Sequence, residues 1–275
     1  MKFDFYKYEG TGNDFILIDN RKSRIRLNRK QIAFLCDRRF GIGADGLMLL
    51  QIKKGFDFEM KYYNSDGNES SFCGNGSRCI VSFAKKIKAI KKQEAKFIAS
   101  DGVHLAKIIS SSTSKNKVRV KMKDVSTIDA GQQSTISDNN NGAYYLLNTG
   151  SPHFVNFGTD VKQMDILPEA KKIRYSNLFI NQGVNVNFVE KTPKGIYVRT
   201  YERGVEDETL SCGTGVTAAA LTSAMLEMAT SQKHCNVETP GGKLTVYFNK
   251  GENTSFTNVW LEGDATFVFK GQIEI

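Results

Sequence analysis

Alternating apolar and polar positions mark strands in KFDFYKY, NDFILID and FDFEMKYYN, and again in VNVNFVEK, IYVRTYE and KLTVYFN. Helical spacing is confined to fewer places. It runs from Asn28 to Arg39, with Asn28 as the N-cap, and opens again directly after Cys73 and directly after Cys212. Between the halves lie SSSTSKNK and QQSTISDNNNG, polar stretches that predict exposed loop or linker.

The pattern repeats. Cys73 heads the turn CGNG and Cys212 the turn CGTG, 139 residues further on. GTGNDFILID (Gly10 to Asp19) falls into step with NTGSPHFVNF (Asn148 to Phe157), and SDGVHLAKI with TPGGKLTVY. VRVKMKD near Val118 matches NVWLEGD near Asn258, and YYNSDGNESS precedes the first cysteine as TYERGVEDETLS precedes the second. Several separate features in register indicate an internal duplication. Each half then holds mostly antiparallel strands and one helix that opens at a cysteine turn, an α+β arrangement.

Composition narrows the function classes. A chain of 275 residues, 40% hydrophobic and 24% charged, is long enough for two modest domains with buried cores. Neither a membrane span nor the apolar block of a signal peptide is present, so the expected address is the cytoplasm and no membrane partner is expected. Five cysteines without a CxxC pair argue against a disulfide framework and a structural zinc site; Cys36, Cys79 and Cys235 read as small buried hydrophobes. The net charge is +9, and the densest basic run is KKIKAIKK, from Lys85 to Lys92, where lysines at a helix end complement the macrodipole. No basic strand interleaved with aromatics accompanies it, so nucleic acid is not an expected partner.

A Cys-Gly-x-Gly turn leaves consecutive backbone N–H groups free to converge, and the helix behind it adds the positive end of its dipole. Such a turn holds a carboxylate and stabilises a thiolate. Two copies facing each other across a pseudo-two-fold axis would place a sulfur on either side of a carbon bearing that carboxylate. A thiolate base and a thiol acid in that arrangement remove a proton from one face and return one to the other, inverting the centre. The donors of both turns would meet the charge that builds on the carboxylate in the transition state.

The ordered series GTGNDF, GIGADGL, NSDGN, FCGNGSRC, GSPHFV, GVNVNFV, YERGVEDETLSCGTG and TPGG resembles the diaminopimelate epimerase family over essentially the whole length. The resemblance implies interconversion of L,L- and meso-diaminopimelate, for lysine and peptidoglycan synthesis, without pyridoxal phosphate, metal or nucleotide. It implies Cys73 and Cys212 as the paired acid and base. Gly74 and Asn75, with Gly213 and Thr214, match the turns that hold the α-carboxylate; Asn13, Asn64, Asn185 and Arg203 match residues that bind substrate. An Arg fork suits the distal carboxylate. His153 and Glu202 match a His and a Glu beside the cysteines, placed to set thiol protonation or hold the reacting amine. Many family members carry Asn where this chain has Ser151, which keeps a hydrogen bond toward the distal end with a shorter reach. Phe72 and Ser211 vary the usual neighbours of the cysteines. The implied fold is two similar domains, each a curved, mostly antiparallel sheet around a central helix: residues 1–117 with 264–275, and 118–263. The implied partner is the small-molecule substrate, and the resemblance admits a homodimer.

On residues alone several readings stay open. Asn13 and Asn64 also read as turn formers, His153 as a loop histidine, Arg203 as half of a surface ion pair and Glu202 as a solvated strand end. Proline and hydroxyproline racemases share the paired cysteines; aromatic-acid isomerases of the same fold lack them. A redox pair between Cys73 and Cys212 is a further reading of the two thiols.

Overall fold

The computed structural model describes residues 1–70, 73–132 and 142–275. Phe72 and most of the QQSTISDNNNG stretch lie outside the described residues. The chain divides into two compact units, Met1–Val120 with Gly263–Ile275, and Lys121–Glu262.

The first unit runs β1 (Lys2–Gly10), β2 (Asn13–Asp19), α1 (Arg29–Cys36), β3 (Gly46–Gln51), β4 (Phe58–Asn64), β5 (Glu69–Ser70), α2 (Gly74–Lys86), β6 (Glu94–Ala99), β7 (Gly102–Ser111) and β8 (Lys115–Lys121). The second begins with β9 (Asp129–Gln132) and then repeats the order: β10 (Ala143–Asn148), β11 (Pro152–Phe157), α3 (Ile166–Arg174), β12 (Asn185–Thr192), β13 (Gly195–Glu202), β14 (Asp207–Thr209), α4 (Gly213–Met225), β15 (His234–Thr239), β16 (Gly242–Lys250) and β17 (Phe256–Glu274). From Gly263 onward β17 belongs to the first unit, where it pairs antiparallel with β1 and β8.

The pairing repeats as well as the order. β1 pairs antiparallel with β2, as β10 does with β11. The next pair is parallel in both halves, β2 with β3 and β11 with β12, followed by antiparallel β3–β4 and β12–β13. A second parallel pair, β4 with β6 and β13 with β15, brackets each cysteine turn. The fold is therefore α+β in two similar halves, each a mostly antiparallel sheet around one helix.

That helix is α2 or α4, and each is buried nearly all round. α2 packs on β1, β2, β3 and β7; α4 packs on β10 to β13, β15 and β16. The α4 sequence suits such a site, with small residues and no charge. Its buried hydroxyls return to the helix, Thr217 donating to the Gly213 carbonyl at 2.8 Å and Thr222 to Ala218 at 2.9 Å, so no polar group is stranded. The second glycine of each turn permits the close approach: a Cβ at Gly76 would run into Met48 Cε, and one at Gly215 into Asn187 Oδ1.

The other face of each sheet carries a smaller cover. β2 splits its side chains, with Ile16 and Ile18 in a cluster with Ile32 and Leu35 of α1, while Phe15 lies toward Gly76 on α2. In the second unit Ile166, Ala170 and Ile173 of α3 pack with Phe154, Val186 and Tyr201.

Three sequence expectations change. α1 starts from Asn28 with a full capping box to Gln31, but it stops at Cys36 instead of Arg39. Asp37 is extended, and its carboxylate accepts from the backbone N–H of Arg39 and Phe40, turning the chain out of the helix. SSSTSKNK is no linker; it closes the β7–β8 hairpin, with Ser111 opposite Asn116 and a bulge between Ile108 and Ser110. α3 was not expected. Among the described residues no helix is long and apolar enough to cross a membrane.

Candidate active site: two cysteine turns

In the first unit Cys73 is the N-cap of α2, with extended backbone and its Sγ accepting from the Gly76 N–H at 3.4 Å. Its sulfur lies 3.7 Å from Asn13 Oδ1, which also accepts from Asn75 Nδ2 at 3.5 Å. Both amides are held in one orientation by charged neighbours. Asp45 can only accept, and it takes the Asn13 Nδ2 at 2.5 Å. Arg78 can only donate, and it gives Nη2 to Asn75 Oδ1 at 2.9 Å and to Thr11 Oγ1 at 3.0 Å. Arg38 braces Asp45 and Asp14, each at 2.7 Å, and Lys7 meets Asp14 at 2.7 Å. Those two cations hold the Asp14 carboxyl down to about 2 against the pull of its partial burial. Asn64 ends β4 opposite Gly46 and makes no side-chain hydrogen bond to this cluster.

In the second unit Cys212 is the N-cap of α4 and is buried, with Thr214 Oγ1 at 3.4 Å from its sulfur. Ser151 Oγ lies 3.2 Å from Thr214 Oγ1 and 3.0 Å from His153 Nε2, and it accepts from Asn185 Nδ2 at 3.1 Å. Asn185 Oδ1 takes the backbone N–H of Arg203 at 2.9 Å, tying the end of β13 to the start of β12. The Arg203 guanidinium donates to the Gln182 carbonyl at 2.8 Å, and Glu202 accepts from Thr209 at 3.1 Å. Ser151, His153, Asn185, Thr214 and Cys212 thus form one connected set. Arg203 joins it through its backbone.

The remaining thiols differ in kind. Cys36, Cys79 and Cys235 are buried, and burial pushes Cys36 up to about 12 and Cys235 to about 11. Such sulfurs stay protonated and unreactive near neutral pH. Among the described residues no group of three or more His, Cys, Asp or Glu side chains gathers tightly enough to hold a metal ion.

Residues that sequence reasoning left without a role hold the others in place. Asp45 sits in the GIGADG stretch, Arg78 in CGNGSRC and Asn187 in VNVNFV. For Asn187 the alternation gave no signal, because it places this residue on the face opposite Val186 and Phe188; it is fully buried because the first half of β12 is covered on both faces, and it donates to the Phe154 carbonyl at 2.9 Å.

The family model for diaminopimelate epimerase matches this chain twice, over residues 5–128 and 145–268. The chain belongs to the diaminopimelate epimerase family. The two matches are the two halves of the duplication, each carrying one cysteine turn. A protein of Flavobacterium psychrophilum named diaminopimelate epimerase is 50% identical over 270 residues, covering 98% of this chain and 99% of its own. Among solved structures, a Bacillus anthracis phenazine biosynthesis protein of the PhzF family covers both chains fully at TM-score 0.70 and 13% identity. A probable proline racemase from Agrobacterium radiobacter, with carbonate bound, reaches TM-score 0.69 at 13% identity, covering 99% of this chain and 93% of its own. At such identity these two share the fold of the diaminopimelate epimerases and nothing finer.

His153 carries the pH signature of the second half-site. Burial, with a smaller contribution from the Arg203 charge, lowers its imidazole from 6.5 to about 3, so it stays neutral. The folded value is depressed, so on acidification the unfolded chain takes the proton first. The stability it contributes is complete above pH 6.5 and is lost as the pH falls toward 3. By pH 5 that loss is about 2 kcal/mol. His153→Gln should flatten the difference between urea unfolding curves at pH 7.5 and pH 5. Parallel pH dependence in variant and parent would remove His153 as its source.

Proposed function

We propose that this chain epimerises L,L-diaminopimelate to the meso isomer, with Cys73 and Cys212 as base and acid for the same α-carbon. The observation that supports this reading most directly is the duplicated cysteine N-cap. Each sulfur sits at a helix N-terminus, where the dipole favours negative charge, while Cys36, Cys79 and Cys235 are buried away from any helix N-terminus. In the proposed step the thiolate takes the α-proton from one face, and the thiol delivers a proton to the opposite face of the carbanion. The backbone of Gly74, Asn75, Gly213 and Thr214 supports the carboxylate as charge develops on it. Asn13, Asn64, Asn185 and Arg203 bind the rest of the substrate, and Ser151, His153 and Glu202 shape the surroundings of the cysteines.

No cofactor enters this reaction scheme. A cytoplasmic setting fits it, because a working pair of thiols must stay reduced. A homodimer completes the reading; Val268 and Phe269, 52% and 44% exposed on β17, offer apolar surface to a second copy.

Incubation of the reduced protein with L,L-diaminopimelate in D2O, without added cofactor, is expected to place one deuterium at an α-carbon as meso product appears. Sedimentation of the same preparation reports the number of copies. Absence of α-exchange, with both thiols titratable, would move the substrate to another amino or imino acid and leave the fold untouched.

A further inference from the structure

The hydrogen bonds leading toward Cys212 have a direction that their chemistry fixes as far as Thr214. Asn187 is the starting point. Its Oδ1 accepts from Thr200 Oγ1 at 3.0 Å and its Nδ2 donates to the Phe154 carbonyl, so the amide cannot be turned over. The same Nδ2 faces His153 Nδ1 at 3.1 Å, so Nδ1 is the acceptor. The neutral ring therefore carries its proton on Nε2, which faces Ser151 Oγ at 3.0 Å and must donate to it. Asn185 is fixed the same way, accepting at Oδ1 from the Arg203 N–H and donating Nδ2 to the Pro152 carbonyl at 3.0 Å and to Ser151 Oγ.

Ser151 Oγ thus receives two hydrogens, which fills both lone pairs. Its one proton is left for Thr214 Oγ1, the remaining neighbour at 3.2 Å. Thr214, having accepted from Ser151, has its own proton available for Cys212 Sγ at 3.4 Å.

We propose that Ser151 and Thr214 are positioning residues for Cys212: the one-way run from His153 makes Thr214 donate its hydroxyl proton to the Cys212 sulfur and so favours thiolate there. The proposal rests on Cys212 being a working acid or base. At position 151 a single hydroxyl both accepts twice and donates once, so the relay runs through one oxygen. β12 offers amides only, His153 is neutral, and the Arg203 charge that acts on His153 favours an anion; the Glu202 carboxylate at the end of β13 is engaged by Thr209.

The test is the pH dependence of Cys212 alkylation by iodoacetamide, followed by peptide mass spectrometry, which needs no substrate and so stands whether or not diaminopimelate is turned over. Thr214→Val, which removes the hydroxyl and keeps the shape, is expected to raise the Cys212 midpoint by roughly half to one pH unit. Thr214→Ser should stay near the parent. Ser151→Ala should raise the midpoint less than Thr214→Val, and should add nothing in the Thr214→Val background. Equal shifts for Val and Ser at 214, no upward shift for Val, or a Ser151→Ala effect that survives in the Val background would overturn the proposal. Thr214→Ala serves in place of Val if that variant does not fold, as judged by its melting curve.

Discussion

Cys73→Ser and Cys212→Ser are each expected to lower epimerisation on the order of 10³-fold or more, while leaving one half of the chemistry intact. A serine hydroxyl is some orders of magnitude less acidic than a thiol, so it neither ionises at a helix N-terminus near neutral pH nor returns a proton at a useful rate. Inversion needs both groups; removal of a proton needs one. Each variant should therefore still release fluoride from a diaminopimelate analogue bearing fluorine β to the reacting carbon, because loss of the α-proton and of fluoride requires a single base. The two variants should also prefer opposite epimers of that analogue, since each retains the base for a different face. Fluoride release followed by electrode, beside deuterium exchange on the natural substrate, separates these outcomes. Full epimerisation by either variant would end the two-base reading, and the same epimer preference in both would place the two sulfurs on one face.

The part of this site that was legible in the sequence is the part made by neighbours along the chain. A cysteine N-cap, two glycines and the following helix occupy a few consecutive residues, and their repetition after 139 positions made the pair visible twice. The repeat also led to two similar halves of mostly antiparallel strands, but not to their order or to the parallel pairs β2–β3 and β11–β12. What stayed hidden depends on contacts across the sheet. The hold of Asp45 on Asn13 spans 32 residues, and that of Arg78 on Thr11 spans 67. No local pattern encodes such pairs, because each residue taken alone looks like a solvated charge. α3 was missed for a different reason: it is short, it carries Pro168 in its first turn, and only its match to α1 in the other half could have announced it. The hairpin in SSSTSKNK shows the converse error, since polarity reports exposure and says little about whether the backbone is paired.

Arg78→Met is expected to destabilise the first unit by about 3 kcal/mol and lower its melting temperature by roughly 6–10 °C. Arg78 is fully buried, and burial lowers its pKa from the usual guanidinium value. Two effects oppose each other on its replacement. Removing a buried charge relieves a desolvation cost, which is why apolar substitutes for buried ions are often tolerated. Against this, four acceptors each lose a hydrogen bond: Asn75 Oδ1, which keeps the Thr11 hydroxyl at 3.3 Å, Thr11 Oγ1, and the carbonyls of Gly74 and Asp264 at 3.4 Å. At about 1 kcal/mol each, the lost bonds outweigh the relieved charge, because Thr11 and Asn75 are buried beyond easy reach of water. Arg78→Lys should not restore stability. One ammonium on a flexible stem cannot span from the start of α2 to β17 as the fork does. Losing the Arg78 Nη2 bond also loosens the hold that orients the Asn75 amide toward Asn13, and should lower epimerisation beyond what the loss of folded protein explains. A variant as stable as its parent in thermal melting would show that the charge penalty dominates, and undiminished epimerisation in the folded fraction would show that the Asn75 orientation does not matter to the turn.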